Sequence, residues 1–344
     1  MATMQDVAKL ASVSLSTVSY AINNTRPISA ATRERIERAM VELDFRPNAI
    51  ARSLASRRSR ILALTFPGIE NGLGSTVMEF VTSAAEAARD RGYHLVVWPY
   101  APSQADEMLQ MSREGLTDGV IIMEVRRDDP RVRVLDAAGI PLTMIGRADD
   151  SDDSRCVDID FDATTEDAVA HLSALGHRNI ALLNHSEASR DNGYGPTVRV
   201  QDGFEQALAR RGLTGTTVWC DESPVAGRAM MTELLEQDPD LTAVIAMNEN
   251  AVIGAVFELV SRGITVPQDF SVLSIVSSPM VAALVQPALT TLHAPGASLG
   301  RLGVNSLLDQ LDGRQPVGGP VLLPCRWEAG ASCGPVPLER PRIR

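Results

Sequence analysis

The sequence predicts a small all-α head followed by an α/β core of two doubly wound lobes. Three observations carry this. Residues 4–43 hold three short stretches whose apolar positions fall on one helical face. From Arg60 onward, short runs rich in Val, Ile and Leu alternate with helical stretches, the pattern of parallel sheets covered on both faces. The strand candidates number about ten, which suits two sheets rather than one.

In the head, the first helix is expected over Met4–Ala11, with Ser12-Val13-Ser14 as a tight turn and Leu15–Asn23 as the second helix. Pro27-Ile28-Ser29 is a loop, and Ser29 caps a third helix ending near Leu43. Val7, Ala8, Leu10, Ala11, Val13, Val18, Ala21 and Ile22 form the apolar face, mostly small, as close helix crossing requires. The head is assigned to 1–46. A linker at 47–59 follows, in which Ala49–Ala55 is too short to be a stable helix alone.

In the core, 60–330, strands are expected at 61–66, 94–98, 119–123, 142–146, 156–160, 179–183, 216–220, 243–247 and 271–276, with one more at 290–293. Helices are expected at 76–91, 104–114, 162–175, 197–211, 224–236 and 249–262. Ligands of such sheets bind beyond the carboxyl ends of the strands, here in the cleft between lobes. The Pro- and Arg-rich tail, 331–344, is expected to be disordered, and it holds no leucine heptads.

Composition narrows the class. No apolar run approaches the roughly 18–20 residues that span a bilayer, and the first residues lack a basic and an apolar segment of secretory type, so a cytoplasmic protein is expected. Cys156, Cys220, Cys325 and Cys333 lie far apart and fit neither a disulfide framework nor a zinc site. The net charge is −11, but it is uneven: residues 1–60 carry ten basic and five acidic side chains, and the remainder carries 22 and 38. A basic head on an acidic body can attract phosphate locally.

The run Met4-Gln5-Asp6-Val7-Ala8-Lys9-Leu10-Ala11-Ser12-Val13-Ser14-Leu15-Ser16-Thr17-Val18-Ser19-Tyr20-Ala21-Ile22-Asn23 resembles the head of the lactose-repressor (LacI/GalR) family. Thr32–Ile36, Arg46-Pro47-Asn48 and Ala51–Ala55 continue the resemblance. In the core it extends through Asp158-Ile159-Asp160, Leu175-Gly176-His177-Arg178, Asn248 and Pro287–Thr291. It implies a helix-turn-helix whose second helix enters the major groove, with Leu15, Ser16 and Tyr20 reading base edges. Thr3, Ser14, Thr17, Ser19 and Asn23 have the short polar side chains suited to phosphate contacts. Asn48–Ser56 resembles the family's hinge helix: Asn48, Ala51 and Ala55 accompany Leu54, the minor-groove wedge. Two hinges at one dyad imply a homodimer on a near-palindromic DNA operator.

The resemblance also implies a periplasmic-binding-protein-like core that takes a small-molecule effector, commonly carbohydrate-like. Asn248 matches an asparagine with which relatives hold their ligands, and Arg199 lies one residue from an arginine position that here holds Val200. Ser274-Ile275-Val276 replaces a Gly-Tyr-Asp segment, so that carboxylate is absent. Glu124, Arg147, Asn184, Asn192 and Glu249 offer polar groups at predicted strand ends or in the Asn192–Pro196 loop.

Catalysis finds no support. Gly296-Ala297-Ser298-Leu299-Gly300 fits a nucleophile pattern, but no histidine follows His293 to complete it, and small residues opening a helix explain the run. The five histidines lack metal-site spacing, and no glycine-rich phosphate loop occurs, so no metal or cofactor is expected. The expected function is an effector-responsive DNA-binding regulator. A solute-binding receptor without a DNA role, and a regulator without effector, stand as alternatives.

Overall fold

A computed structural model describes residues 2–23, 26–45, 58–66, 74–149, 153–314 and 318–337. The chain divides into two compact units, residues 1–60 together with 115–118, and the rest.

The head holds α1 (Met4–Leu10), α2 (Leu15–Asn23) and α3 (Ala30–Glu42). Each start follows from a hydroxyl at the cap. Thr3 and Asp6 form a reciprocal capping box on α1. The Thr17 amide donates to Ser14 Oγ (3.1 Å), and the Thr32 amide donates to Ser29 Oγ (3.2 Å). Val7, Ala8, Ala11, Val18, Ala21, Ile36 and Ala39 make the buried core. Leu10 departs from the expected apolar face: it is 44% exposed. Residues 46–57, which include the linker positions Asn48, Ala51, Leu54 and Ala55, lie outside the described residues.

Among its described residues the second unit holds twelve strands in two six-stranded sheets. The first contains β1 (Ile61–Thr65), β2 (His94–Trp98), β3 (Gly119–Met123), β4 (Leu142–Ile145), β5 (Cys156–Ile159) and β11 (Val321–Leu323), in the order β11-β5-β4-β3-β1-β2. The second contains β6 (Asn179–Asn184), β7 (Thr214–Trp219), β8 (Ala243–Ala246), β9 (Ser271–Ser277), β10 (Thr290–His293) and β12 (Arg326–Glu328), in the order β12-β10-β9-β8-β6-β7. The two orders match strand for strand. All pairings are parallel except β10 with β12. Strands β3, β4, β5 and β8 are buried throughout, which explains their mostly apolar runs; Thr143 in β4 and Asp158 in β5 are the buried polar exceptions. The chain passes between the sheets three times, after Ile159, after His293 and after Leu323.

The covering helices are α4 (Ser75–Asp90), α5 (Ala105–Arg113), α6 (Pro130–Ala137), α7 (Phe161–Ala174), α8 (Glu187–Asp191), α9 (Gly195–Arg211), α10 (Pro224–Gln237), α11 (Ala251–Ser261), α12 (Pro279–Ala282) and α13 (Gly296–Leu311). Glycines set two of the closest crossings. On α13, a Cβ at Gly300 would collide with Ser83 Oγ and the Phe80 carbonyl of α4. The Gly296–Gly300 run is therefore a helix packing face, with Ser298 exposed on the far side.

Five short elements were not foreseen as such: α6, α8, α12, β11 and β12. The expectation of disorder after Gly330 is corrected for 331–337. The Ala331 amide donates to the Ala288 carbonyl (2.8 Å), the Val272 amide to the Ser332 carbonyl (2.9 Å) and the Val336 amide to the Leu175 carbonyl (2.9 Å). Ser332 is fully buried. Pro-rich composition misleads here because Ala, Ser, Cys and Gly let the backbone lie close against the second lobe, where its polar groups find partners. Residues 338–344 lie outside the described residues.

Candidate nucleic-acid interface and effector cleft

In the head, Ser14, Leu15 and Ser16 stand exposed where α2 begins. Leu15 is 48% exposed, a large apolar side chain that the head's own core does not use. Tyr20 lies one turn beyond Ser16 and is half-buried, with the Arg26 guanidinium 5.2 Å from its ring centre. Ser14 Oγ is shared with Ser16 Oγ (2.8 Å) and Thr17 Oγ1 (2.7 Å). Thr3 and Ser14 thus already serve as caps. A capping hydroxyl at a helix start lies beside free amides, where an anion is favoured. The side chain of Asn23 lies outside the described residues.

The cleft lies between the two lobes of the second unit, at the carboxyl ends of the strands. It encloses a cavity of about 330 Å³. The first lobe contributes Phe66, Phe80, Glu124, Arg126 and Asp158, and the second contributes Phe161, His185, Tyr194, Glu222 and Glu249. Phenyl faces and carboxylates on opposed walls suit a molecule with both apolar and hydrogen-bond-donating faces.

The lobes are tied together along one side. The Arg127 amide donates to the Gly193 carbonyl (2.8 Å), and the Gly195 amide to the Val125 carbonyl (3.1 Å), closing a bridge between Arg126 and Tyr194. Arg199 Nη2 donates to the Arg147 carbonyl (2.8 Å). Thr76 Oγ1 donates to Glu249 Oε2 (2.9 Å). These bonds hold the two lobes in contact beside the cavity.

Among the expected effector residues, Glu124, Asn192, Asn248 and Glu249 line the cavity, whereas Arg147 and Arg199 do not. Those two arginines serve Asp158: Arg147 Nε donates to its Oδ2 (3.1 Å), and both charges bear on it. Burial still outweighs them and raises the Asp158 pKa. Asn248 is buried, and its carboxamide is engaged. Its Nδ2 donates to the Cys220 carbonyl (2.9 Å), and its Oδ1 accepts from the Ala251 amide (3.0 Å) at the start of α11. Asn184 Nδ2 likewise donates to the Thr197 carbonyl (3.0 Å).

His185 and Glu222 were missed by sequence reasoning. His185 Nδ1 meets Glu222 Oε1 at 2.8 Å, and this bond lowers the Glu222 pKa. Both residues follow directly on strand ends, after Asn184 of β6 and just beyond Trp219 of β7, so the strand-end rule could have found them. Glu124 sits at φ +49°, a left-handed conformation rare for its type, and Val276 lines the same cavity at φ +53°. Burial, reinforced by Glu222, pushes the Glu124 pKa up to about 7.

Comparison with known proteins decides the family. The family model "Bacterial regulatory proteins, lacI family" matches residues 3–48, and the "Periplasmic binding protein-like domain" matches 169–333. The transcriptional regulator CelR of Thermobifida fusca is 32% identical over 90% of this chain and 92% of its own. The chain belongs to the lacI family of bacterial regulatory proteins. The regulator AglR of Rhizobium meliloti is 30% identical over 90% of this chain and 89% of its own. The solved CelR–cellobiose complex superposes with a TM-score of 0.70 at 28% identity, covering 96% of this chain and 100% of that one. The lac repressor dimer bound to operator and anti-inducer superposes with a TM-score of 0.81 at 25% identity, covering 96% and 98%. This lacI-family protein is thus a helix-turn-helix DNA-binding transcriptional regulator with a periplasmic-binding-protein-like core, not a plain solute receptor. Among the described residues, no helix is long and apolar enough to cross a membrane.

Proposed function

We propose that this regulator is a repressor that binds a near-palindromic operator as a homodimer and releases it, or grips it, according to a small carbohydrate-like molecule in the interlobe cleft. The observation that carries the reading is the tied, roughly sugar-sized cleft of about 330 Å³, lined by aromatic rings and carboxylates from both lobes. A ligand with different affinities for the tied and parted lobes shifts their balance, and only such a ligand can do so. The relative CelR is described in complex with cellobiose, and the lac repressor as an operator-bound dimer. The cytoplasm is the compartment this role requires.

In the head, Leu15, Ser16 and Tyr20 read bases, and Thr3, Ser14, Thr17, Ser19 and Asn23 hold phosphates. Leu54, with Asn48, Ala51 and Ala55, wedges the minor groove. Leu54→Ala is expected to weaken specific binding far more than non-specific binding, because the kink belongs only to the specific site. Equal losses in salt-matched gel-shift titrations would count against the wedge.

The test of the whole reading is capture of genomic fragments by the purified protein, followed by sequencing. A near-palindrome of roughly 14–20 base pairs is expected. Its position beside transport or catabolic genes then narrows the effector. No enriched site with folded protein at moderate salt would overturn the specific-repressor reading.

A further inference from the structure

We propose that the cleft takes a hydroxyl-bearing organic cation, a protonated amine on a sugar-like frame, whose ammonium is received by the Glu124 carboxylate with Glu222 opposite. This rests on the reading of the cleft as the effector site and narrows the chemistry of its ligand.

The first ground is the state of Glu124. It lies at the carboxyl end of β3, sunk into the cavity wall. Its carboxylate has no hydrogen-bond or ion-pair partner among the described residues. A half-buried carboxylate that faces the cavity without a protein donor leaves its charge to be met by a ligand that supplies one.

The second ground is that no cation pairs with it among the described residues. The charges that bear on Glu124 are Glu222, which raises its pKa, and His185 and Arg131, which oppose that rise. His185 is bound to Glu222. Arg131 is fully buried and committed to Asp129, Thr65 and the carbonyls of Met123 and Glu124. Arg126 lines the same cavity and makes no ion pair with Glu124. Tyr194 adds a hydroxyl that itself feels Glu124 and Glu222.

The third ground is the division of the carboxylates. Glu124 belongs to the first lobe, whereas Glu222 and Glu249 belong to the second. Closing the lobes brings like charges together, which a proton or a bound cation offsets. An anionic ligand would worsen the repulsion. A metal ion fits less well, since no three carboxylate, histidine or cysteine side chains are grouped to hold one among the described residues. The aromatic walls and the remaining acceptors suit the hydroxyl-bearing frame.

The test is calorimetric titration of the full-length protein. The probes are glucosamine, galactosamine and the chitosan disaccharide, beside glucose, galactose and cellobiose. Each is run near pH 5.5 and near pH 7, a span in which Glu124 ionises toward its pKa of about 7 while the sugar ammonium, of about the α-amino type, stays largely charged. At least one amine is expected to bind about ten-fold or more tightly than its neutral counterpart, the margin a charge-assisted bond confers. Over that span its binding is expected to strengthen with pH and, at the lower pH, to release a proton, because the ammonium selects ionised Glu124. Glu124→Gln is expected to erase both the preference and the pH slope, with a cooperative melt verifying its fold. Neutral sugars binding as tightly as amines, no amine binding, or a preference that survives in Glu124→Gln would each overturn the proposal. Operator release by a neutral sugar would overturn it while leaving the effector reading intact. Operator binding that no probe of either class alters would count against both.

Discussion

The carboxamide of Asn248 and the carboxylate of Glu124 line one cavity, yet substitution should affect them in opposite directions. Asn248 holds the Cys220 carbonyl and caps α11, so Asn248→Ala leaves buried groups unpaired. It is expected to lower stability by about 1–3 kcal/mol in denaturant titration, whether or not ligand is present. Glu124 has a folded pKa raised to about 7. Its contribution to stability is therefore full below the ordinary glutamate pKa and is lost as pH rises through about 7. Glu124→Gln lacks that loss. Its melting temperature relative to the parent is expected to climb as pH goes from about 5 to about 8. Glu222, whose pKa is lowered, works in the other direction and at lower pH, and it is common to both proteins. A difference in melting temperature that stays flat over this range would mean that Glu124 does not titrate there.

At the scale of elements, legibility followed burial. The fully buried strands β3, β4, β5 and β8 were plain in the sequence, because burial on both faces demands mostly apolar runs. The three-residue strands β11 and β12 were not, since each is short and sits at a sheet edge with no fully buried residue. The site was half legible for a related reason. Glu124 and Glu249 were found by the strand-end rule; His185 and Glu222 obey it too, but their pairing exists only once β6 and β7 lie side by side. The arginines read as ligand contacts serve Asp158, a placement that spacing along the chain does not reveal. The tightest element contact was also invisible. On α11, a Cβ at Gly254 would run into the Pro224 carbonyl of α10, and one at Gly227 of α10 into the Ala251 carbonyl. Backbone cannot swing aside as a side chain can. Gly254→Ala is expected to part these helices and to lower stability by about 1–3 kcal/mol or more. An unchanged denaturation midpoint would show that the crossing tolerates a methyl.

That helix pair matters at the scale of the whole molecule. Its inner faces are buried in the second lobe, but Val225 is 81% exposed, Phe257 58% and Val260 55%. The Arg228 guanidinium lies 5.0 Å from the Phe257 ring centre, covering it only in part. Large apolar side chains grouped on one surface mark an interface. The proposed mode of action needs a second copy, because a single head reads one half-site and a near-palindrome presents two. Charge placed on this face should therefore act at a distance, on DNA. The double variant Val225→Glu with Phe257→Glu is expected to sediment as a folded monomer, since both side chains already face solvent. Its operator affinity is expected to fall by about a hundred-fold or more, the advantage that a tethered second head confers. Affinity for non-specific DNA should change far less, because each head keeps its own basic surface. A variant that still sediments as a dimer would place the interface elsewhere. A monomer with undiminished operator affinity would mean that one head suffices.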